Sequence, residues 1–134
     1  MTAPVLTRIL YAEDEPDIAA VAKLALEMVG GRTVEICKSG EAALARVPVF
    51  APDLVLLDMM IPGLDGPSTL QVLRNSPSTA AIPVAFMTAK VQPHEIDCYR
   101  NLGAVGVIAK PFDPMTLADQ VRRLWANHHA RSAG

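Results

Sequence analysis

The chain has 134 residues, of which 51% are hydrophobic and 19% charged, with a formal net charge of −2. That length suits one domain around one core, and that balance excludes a disordered chain. The small charge gives no electrostatic reason to expect nucleic acid or an anionic membrane as a direct partner.

Apolar runs such as Leu54–Leu57 are far too short to span a bilayer, and no stretch reads as a signal peptide. Cys37 and Cys98 are too few and too far apart for a disulfide framework or a zinc ribbon. A reduced, cytoplasmic protein forming a single domain over residues 1–134 is the expectation. Its core should run from about 8 to 125, with Met1–Thr7 and roughly Asn127–Gly134 loosely attached.

Arg8–Ala12 reads as a strand. Asp17–Val29 reads as an amphipathic helix, with Ile18, Val21, Ala22, Ala25, Met28 and Val29 as its apolar stripe and Gly30–Gly31 as its stop. Thr33–Cys37 is a second strand, and Ser39 caps a helix through about Val47. Leu54–Leu57 is apolar at every position, as a strand covered on both faces should be. A Pro62–Gly66 turn leads into a helix from about Pro67 to Arg74.

Ile82–Met87 is the fourth strand, and Pro93 opens a fourth helix that Gly103 ends. Val105–Ala109 is the fifth strand, and Asp113–Pro114 signals the start of the last helix, with Leu117, Val121 and Leu124 on one face. Strand and helix alternate five times, which implies an α/β fold with a parallel sheet and helices on both sides. Periodicity leaves the order of the strands open.

In such a sheet, ligands bind beyond the carboxyl ends of the strands. The first strand ends in Glu13–Asp14–Glu15, the third in Asp58, the fourth in Thr88 and the fifth in Lys110. Crowded carboxylates repel and call for a cation. Mg²⁺ answers this, because it takes oxygen ligands and keeps waters that substrate oxygens can replace. An Asp in that setting is a usable nucleophile toward a phosphoryl donor, and Lys110 with the Thr88 hydroxyl would cradle the transferred group.

The segments ILYAEDEPDI (9–18), DLVLLDMMIPGLDG (53–66), PVAFMTAK (83–90) and AKPF (109–112) resemble the signature segments of response-regulator receiver domains. Their intervals agree as well: Asp14, Asp58, Thr88 and Lys110 follow one another at 44, 30 and 22 residues. The resemblance covers about Arg8 to Leu124. It implies a doubly wound (βα)5 flavodoxin-like fold of strand order 2-1-3-4-5, and a stand-alone, chemotaxis-type receiver. Asp58 becomes the phosphoacceptor, Glu13 and Asp14 the Mg²⁺-binding acids, and Met60 a further ligand through its main-chain carbonyl. Thr88 and Lys110 contact the phosphoryl group, and the bond before Pro111 is cis.

The implied donor is a sensor histidine kinase or a histidine phosphotransfer protein, and the implied output is binding to a downstream target protein. Such a protein is not an enzyme acting on other molecules; it catalyses only its own phosphorylation and dephosphorylation. Two positions depart from the family pattern. Glu13 stands where an Asp is usual, and Val107 stands where an aromatic is usual.

Plainer readings stand beside these. The first acids could merely favour the positive end of a helix, Thr88 could cap a turn, and Lys110 could be solvated. Asp65 reads as turn chemistry and a helix cap. His94 and Cys98 are too few for a metal site, His128 and His129 lie in the tail, and Trp125 reads as packing. Met28, Met59, Met87 and Met115 read as filler. A pseudo-receiver interaction module and an FMN-binding carrier are the alternative functions. Against the second, three acids after the first strand would repel a flavin phosphate.

Overall fold

The computed structural model describes residues 5–133 in backbone and 5–130 in side chains. Five strands form one parallel sheet: β1 (Arg8–Ala12), β2 (Thr33–Cys37), β3 (Leu54–Asp58), β4 (Val84–Thr88) and β5 (Gly106–Ala109). Their order is β2-β1-β3-β4-β5, with Tyr11 paired to Ile36 and Leu56, and Leu57 paired to Phe86. The helices are α1 (Pro16–Leu24), α2 (Gly40–Phe50), α3 (Gly66–Asn75), α4 (Pro93–Asn101) and α5 (Leu117–Ala133). This is the doubly wound flavodoxin-like fold that the resemblance implies.

Alternation along each strand explains the unbroken apolar runs. Ile9, Tyr11, Leu54, Leu56 and Met87 join α1 and α5 in one core layer, with Leu26, Leu117, Val121 and Trp125. Leu10, Val55, Leu57 and Phe86 face the other way, toward Val47, Leu70, Leu73 and Tyr99 of α2, α3 and α4. Every residue of β3 is buried, because both faces of this central strand are covered. Each Leu so buried contributes about 1.5–3 kcal/mol.

The structure departs from the sequence reading where tertiary packing overrides local pattern. Beyond Leu24 the first helix widens into a π-helical turn, Ala25–Val29, with the Gly30 amide reaching back to the Ala25 carbonyl. Ala19, Ala22, Ala25 and Leu26 face the sheet, whereas Val21, Met28 and Val29 of the expected stripe are exposed. Small side chains let the helix lie close to the sheet, and Leu26 falls on the same helix face as Ala19 and Ala22.

Helix α2 runs through Pro48 to Phe50, beyond the expected end near Val47, and stops where Ala51 turns left-handed at φ 52°. Strands β4 and β5 begin at Val84 and Gly106, somewhat later than expected. Asp113 accepts the Met115 amide at 2.9 Å, but it closes a preceding turn, so α5 starts only at Leu117.

Met1–Pro4 and Gly134 lie outside the described residues, but Leu6 is buried and the Thr7 and Arg8 amides donate to the Asp53 carboxylate. Helix α5 continues unbroken through 127–133. Among the described residues no helix is long and apolar enough to cross a membrane.

Candidate functional site

The topology brings Glu13, Asp14, Asp58, Thr88 and Lys110 to the carboxyl-terminal rim of the sheet, from strands β1, β3, β4 and β5. Gly66 is what lets α3 start directly under this rim. A Cβ there would sit 2.9 Å from the Asp58 carbonyl oxygen and 3.1 Å from Met59 Cα. Asp65 caps the same helix by accepting the Ser68 amide at 2.8 Å, the capping role expected of it. The Lys110–Pro111 bond is cis, as the resemblance implied.

At the centre lies Lys110. Its Nζ donates to Glu13 Oε1 at 2.8 Å and to Asp58 Oδ2 at 3.1 Å. Asp58 Oδ1 accepts the Met60 amide at 3.3 Å. Glu13 is 1% exposed and has two further donors: the Tyr11 hydroxyl at 2.8 Å to Oε1 and the Glu15 amide at 3.2 Å to Oε2. Asp14 is exposed, and the Met60 side chain points to solvent. The Thr88 hydroxyl is buried and accepts the Lys90 amide at 3.1 Å. Among the described residues no hydrogen bond joins it to Asp58.

Carboxylate oxygens of Glu13, Asp14 and Asp58 lie within 4.8 Å of one another, the one such cluster of three ligating side chains among the described residues. One ammonium against three acids leaves an excess of negative charge. Burial pushes the Asp58 carboxyl up, and the neighbouring Glu13 adds to this, so the net shift is upward despite Lys110 and the Met60 amide. Burial also opposes ionisation of Glu13, but Lys110, Tyr11 and the Glu15 amide outweigh it and hold this carboxyl below its usual range. Lys110 is desolvated too, yet Glu13 and Asp58 keep it firmly protonated. Burial, reinforced by Glu13, keeps the Tyr11 phenol protonated. An all-oxygen cluster carrying surplus negative charge fits a hard divalent ion such as Mg²⁺.

A model of the family described as response regulator receiver domain matches residues 9–122. The chain belongs to that family. It is therefore a receiver, a signalling module of phosphorelays, and receivers bind Mg²⁺ through an acidic pocket. This receiver is 36% identical over 115 residues to the DNA-binding response regulator MtrA of Mycolicibacterium smegmatis, a match covering 86% of this chain and 49% of MtrA.

It is 35% identical over 119 residues to the DNA-binding dual master transcriptional regulator RpaA of Synechocystis sp., covering 89% and 49%. The receiver thus spans about half the length of these curated relatives. Among solved structures, the Francisella response regulator 1452 receiver domain superposes with a TM-score of 0.80 at 26% identity, covering 90% of this chain and 98% of that one. The Vibrio cholerae chemotaxis response regulator CheY4 superposes at 0.82 and 24% identity, covering 90% and 99%, and supports the fold alone.

Every residue singled out at the strand ends of this receiver reaches the same rim. Tyr11 was missed. Its signal lay in the period of a strand, since residues two apart share a side, so Tyr11 and Glu13 could have been paired. Elsewhere, His94 and Cys98 are exposed, and Trp125 is buried in the core, the packing role read from the sequence. A cavity of about 620 Å³ lies at the opposite end of the molecule, lined by Arg74, Arg100 and His129 among others. Arg74 there donates to the carbonyls of Ile82 and Gly103 and so ties two loops together.

Proposed function

We propose that Asp58 is the phosphoacceptor of this receiver, taking a phosphoryl group from a phosphohistidine on a sensor histidine kinase or a histidine phosphotransfer protein. The P–N bond to the donor imidazole breaks, a P–O bond to an Asp58 carboxylate oxygen forms, and the imidazole nitrogen recovers a proton. The observation that carries this reading is the position of Asp58. Asp58 is 8% exposed at the carboxyl end of β3, with Lys110 3.1 Å away and two more acids adjoining.

Glu13, Asp14 and Asp58 would hold Mg²⁺, with the Met60 carbonyl as a further oxygen; the ion would supply positive charge against the phosphoryl oxygens. Lys110 holds Asp58 in place and presents an ammonium to the incoming group. Thr88 is one strand away, and its hydroxyl is free to donate once a charged acceptor stands beside it. Phosphorylation and its reversal are the only chemistry proposed, and the output is a changed surface for a downstream target protein.

A small apolar groove of about 270 Å³ runs from Ile18 and Val21 past Lys110 to Phe112, and a donor histidine would enter along it. Two free cysteines, Cys98 exposed, support a reducing, cytoplasmic setting.

The test is intact-mass analysis after incubation with acetyl phosphate and Mg²⁺. One phosphoryl adduct is expected, sensitive to hydroxylamine, and lost in EDTA or in Asp58→Asn with its fold intact. Undiminished labelling of Asp58→Asn would show that the acceptor lies elsewhere. No labelling of the wild-type protein by acetyl phosphate or by a phosphohistidine donor would favour a pseudo-receiver.

A further inference from the structure

Glu13 is one methylene longer than the Asp usual at its position, and the structure shows how the extra length is accommodated. Tyr11 is fully buried in the layer beneath α1 and α5, among Ile9, Leu26 and Leu54. Its hydroxyl has one described partner, Glu13 Oε1, at 2.8 Å. Side chains two apart on a strand lie on the same side, so Tyr11 stands under Glu13 and reaches up to it. A buried hydroxyl without a partner is costly, as is a buried carboxylate without donors, so each residue satisfies the other.

Three elements then fix the Glu13 carboxylate. Tyr11 from β1 and Lys110 from beyond β5 both hold Oε1, and the Glu15 amide at the start of α1 holds Oε2. The carboxylate cannot turn without breaking one of these bonds. Its orientation is the one in which oxygens of Glu13, Asp14 and Asp58 gather within 4.8 Å.

We propose that Tyr11 is a positioning residue for the acidic site, its hydroxyl holding the longer Glu13 side chain where it can share a divalent cation with Asp14 and Asp58. This rests on the reading of that trio as the Mg²⁺ site. Outer partners of metal-binding carboxylates act in this way by locking the ligand's orientation before the ion arrives. An Asp at 13 would be shorter by roughly 1.5 Å, one C–C bond. It would fall out of reach of the hydroxyl. Tyr11 and Glu13 therefore work as a pair.

A double-mutant cycle tests this on the whole chain. Mg²⁺ affinity is measured by calorimetry, without any phosphoryl donor, for the wild type, Tyr11→Phe, Glu13→Asp and the double variant. Metal-free circular dichroism checks that each is folded. Tyr11→Phe should weaken Mg²⁺ binding by about tenfold beside Glu13. In the Glu13→Asp background it should change binding less than about twofold, because the contact is already gone. An unchanged affinity in Tyr11→Phe, or an equal loss in both backgrounds, overturns the proposal while leaving the Mg²⁺ site standing. A wild-type protein that binds no Mg²⁺ overturns both.

Discussion

Lys110 Nζ lies 3.1 Å from Asp58 Oδ2, although 52 residues separate the two in the chain. Among the described residues this ammonium is the only cation bonded to the carboxyl cluster, so it also holds the metal-free site together. Lys110→Met keeps the apolar stem and removes the charge. In EDTA this variant should lose about 1–3 kcal/mol, less than the roughly 3–5 kcal/mol of breaking a fully buried pair, because Lys110 is partly exposed. Saturating Mg²⁺ should narrow the gap. Urea unfolding with and without Mg²⁺ measures both, and equal stability of the variant and wild type in EDTA would contradict the arrangement.

The shifts on Asp58 and Glu13 have opposite signs, and so do their contributions to stability. Burial raises the Asp58 carboxyl above its unfolded value near pH 4. The native state therefore holds this proton longer than the unfolded chain, and stability falls as pH rises through the raised value. Glu13 is lowered, so its contribution is present above pH 4 to 5 and is lost only as pH falls through its depressed value.

Asp58→Asn removes the first effect. Metal-free Asp58→Asn should match the wild type more closely near pH 4 and be the more stable protein at pH 7. The difference can grow by at most about 1.4 kcal/mol per pH unit. Unfolding midpoints in EDTA across pH 4–8 read this directly; parallel curves would refute the upward shift.

Met60 offers its amide to Asp58 but leaves its side chain 83% exposed beside the site. A thioether cannot orient water toward a phosphoryl group, so the phosphoprotein should lose its phosphate slowly. Met60→Asn supplies a donor and an acceptor at that edge. It should shorten the lifetime several-fold and leave stability within about 0.5 kcal/mol, as expected for an exposed side chain. Timed intact-mass spectra after removal of acetyl phosphate give the lifetime, and an equal or longer one would count against this role.

Lys90 is gripped from two sides: its amide donates to Thr88 Oγ1 at 3.1 Å and its carbonyl accepts the Tyr99 hydroxyl at 3.2 Å. Tyr99 also packs edge-on against Phe86, ring centroids 5.7 Å apart, while Val107 fills the neighbouring position on β5. A β-branched valine has too little reach and too few rotamers to swing inward. When the Thr88 hydroxyl turns to a phosphoryl oxygen, the grip on the Lys90 amide should loosen and Ala89–Tyr99 should shift as a backbone unit. Beryllofluoride with Mg²⁺ should move the amide resonances of that segment, and Tyr99→Phe should reduce the movement toward α4. Shifts confined to residues touching the beryllofluoride would defeat this account.

Much of this receiver is legible in one dimension because the relevant forces are local. Unbroken apolar runs such as Leu54–Leu57 report a strand covered on both faces, and turn or cap residues such as Ser39, Asp65 and Gly103 punctuate the helices. Acids, a hydroxyl and a lysine at four strand ends then converge, because parallel strands all end on one side.

Other features needed the third dimension. Periodicity alone offered an apolar stripe through Val21, Met28 and Val29, but the face that the sheet covers is that of Ala19, Ala22, Ala25 and Leu26. The start of α5 moved to Leu117 because Asp113 closes a turn before the helix. Strand order was not in the periodicity and came from the family resemblance, which the assembled sheet bears out. The shared grip of Tyr11 and Lys110 on Glu13 needed the assembled sheet, since Lys110 lies 97 residues away and no local pattern records a contact made only when β1 and β5 join the same sheet.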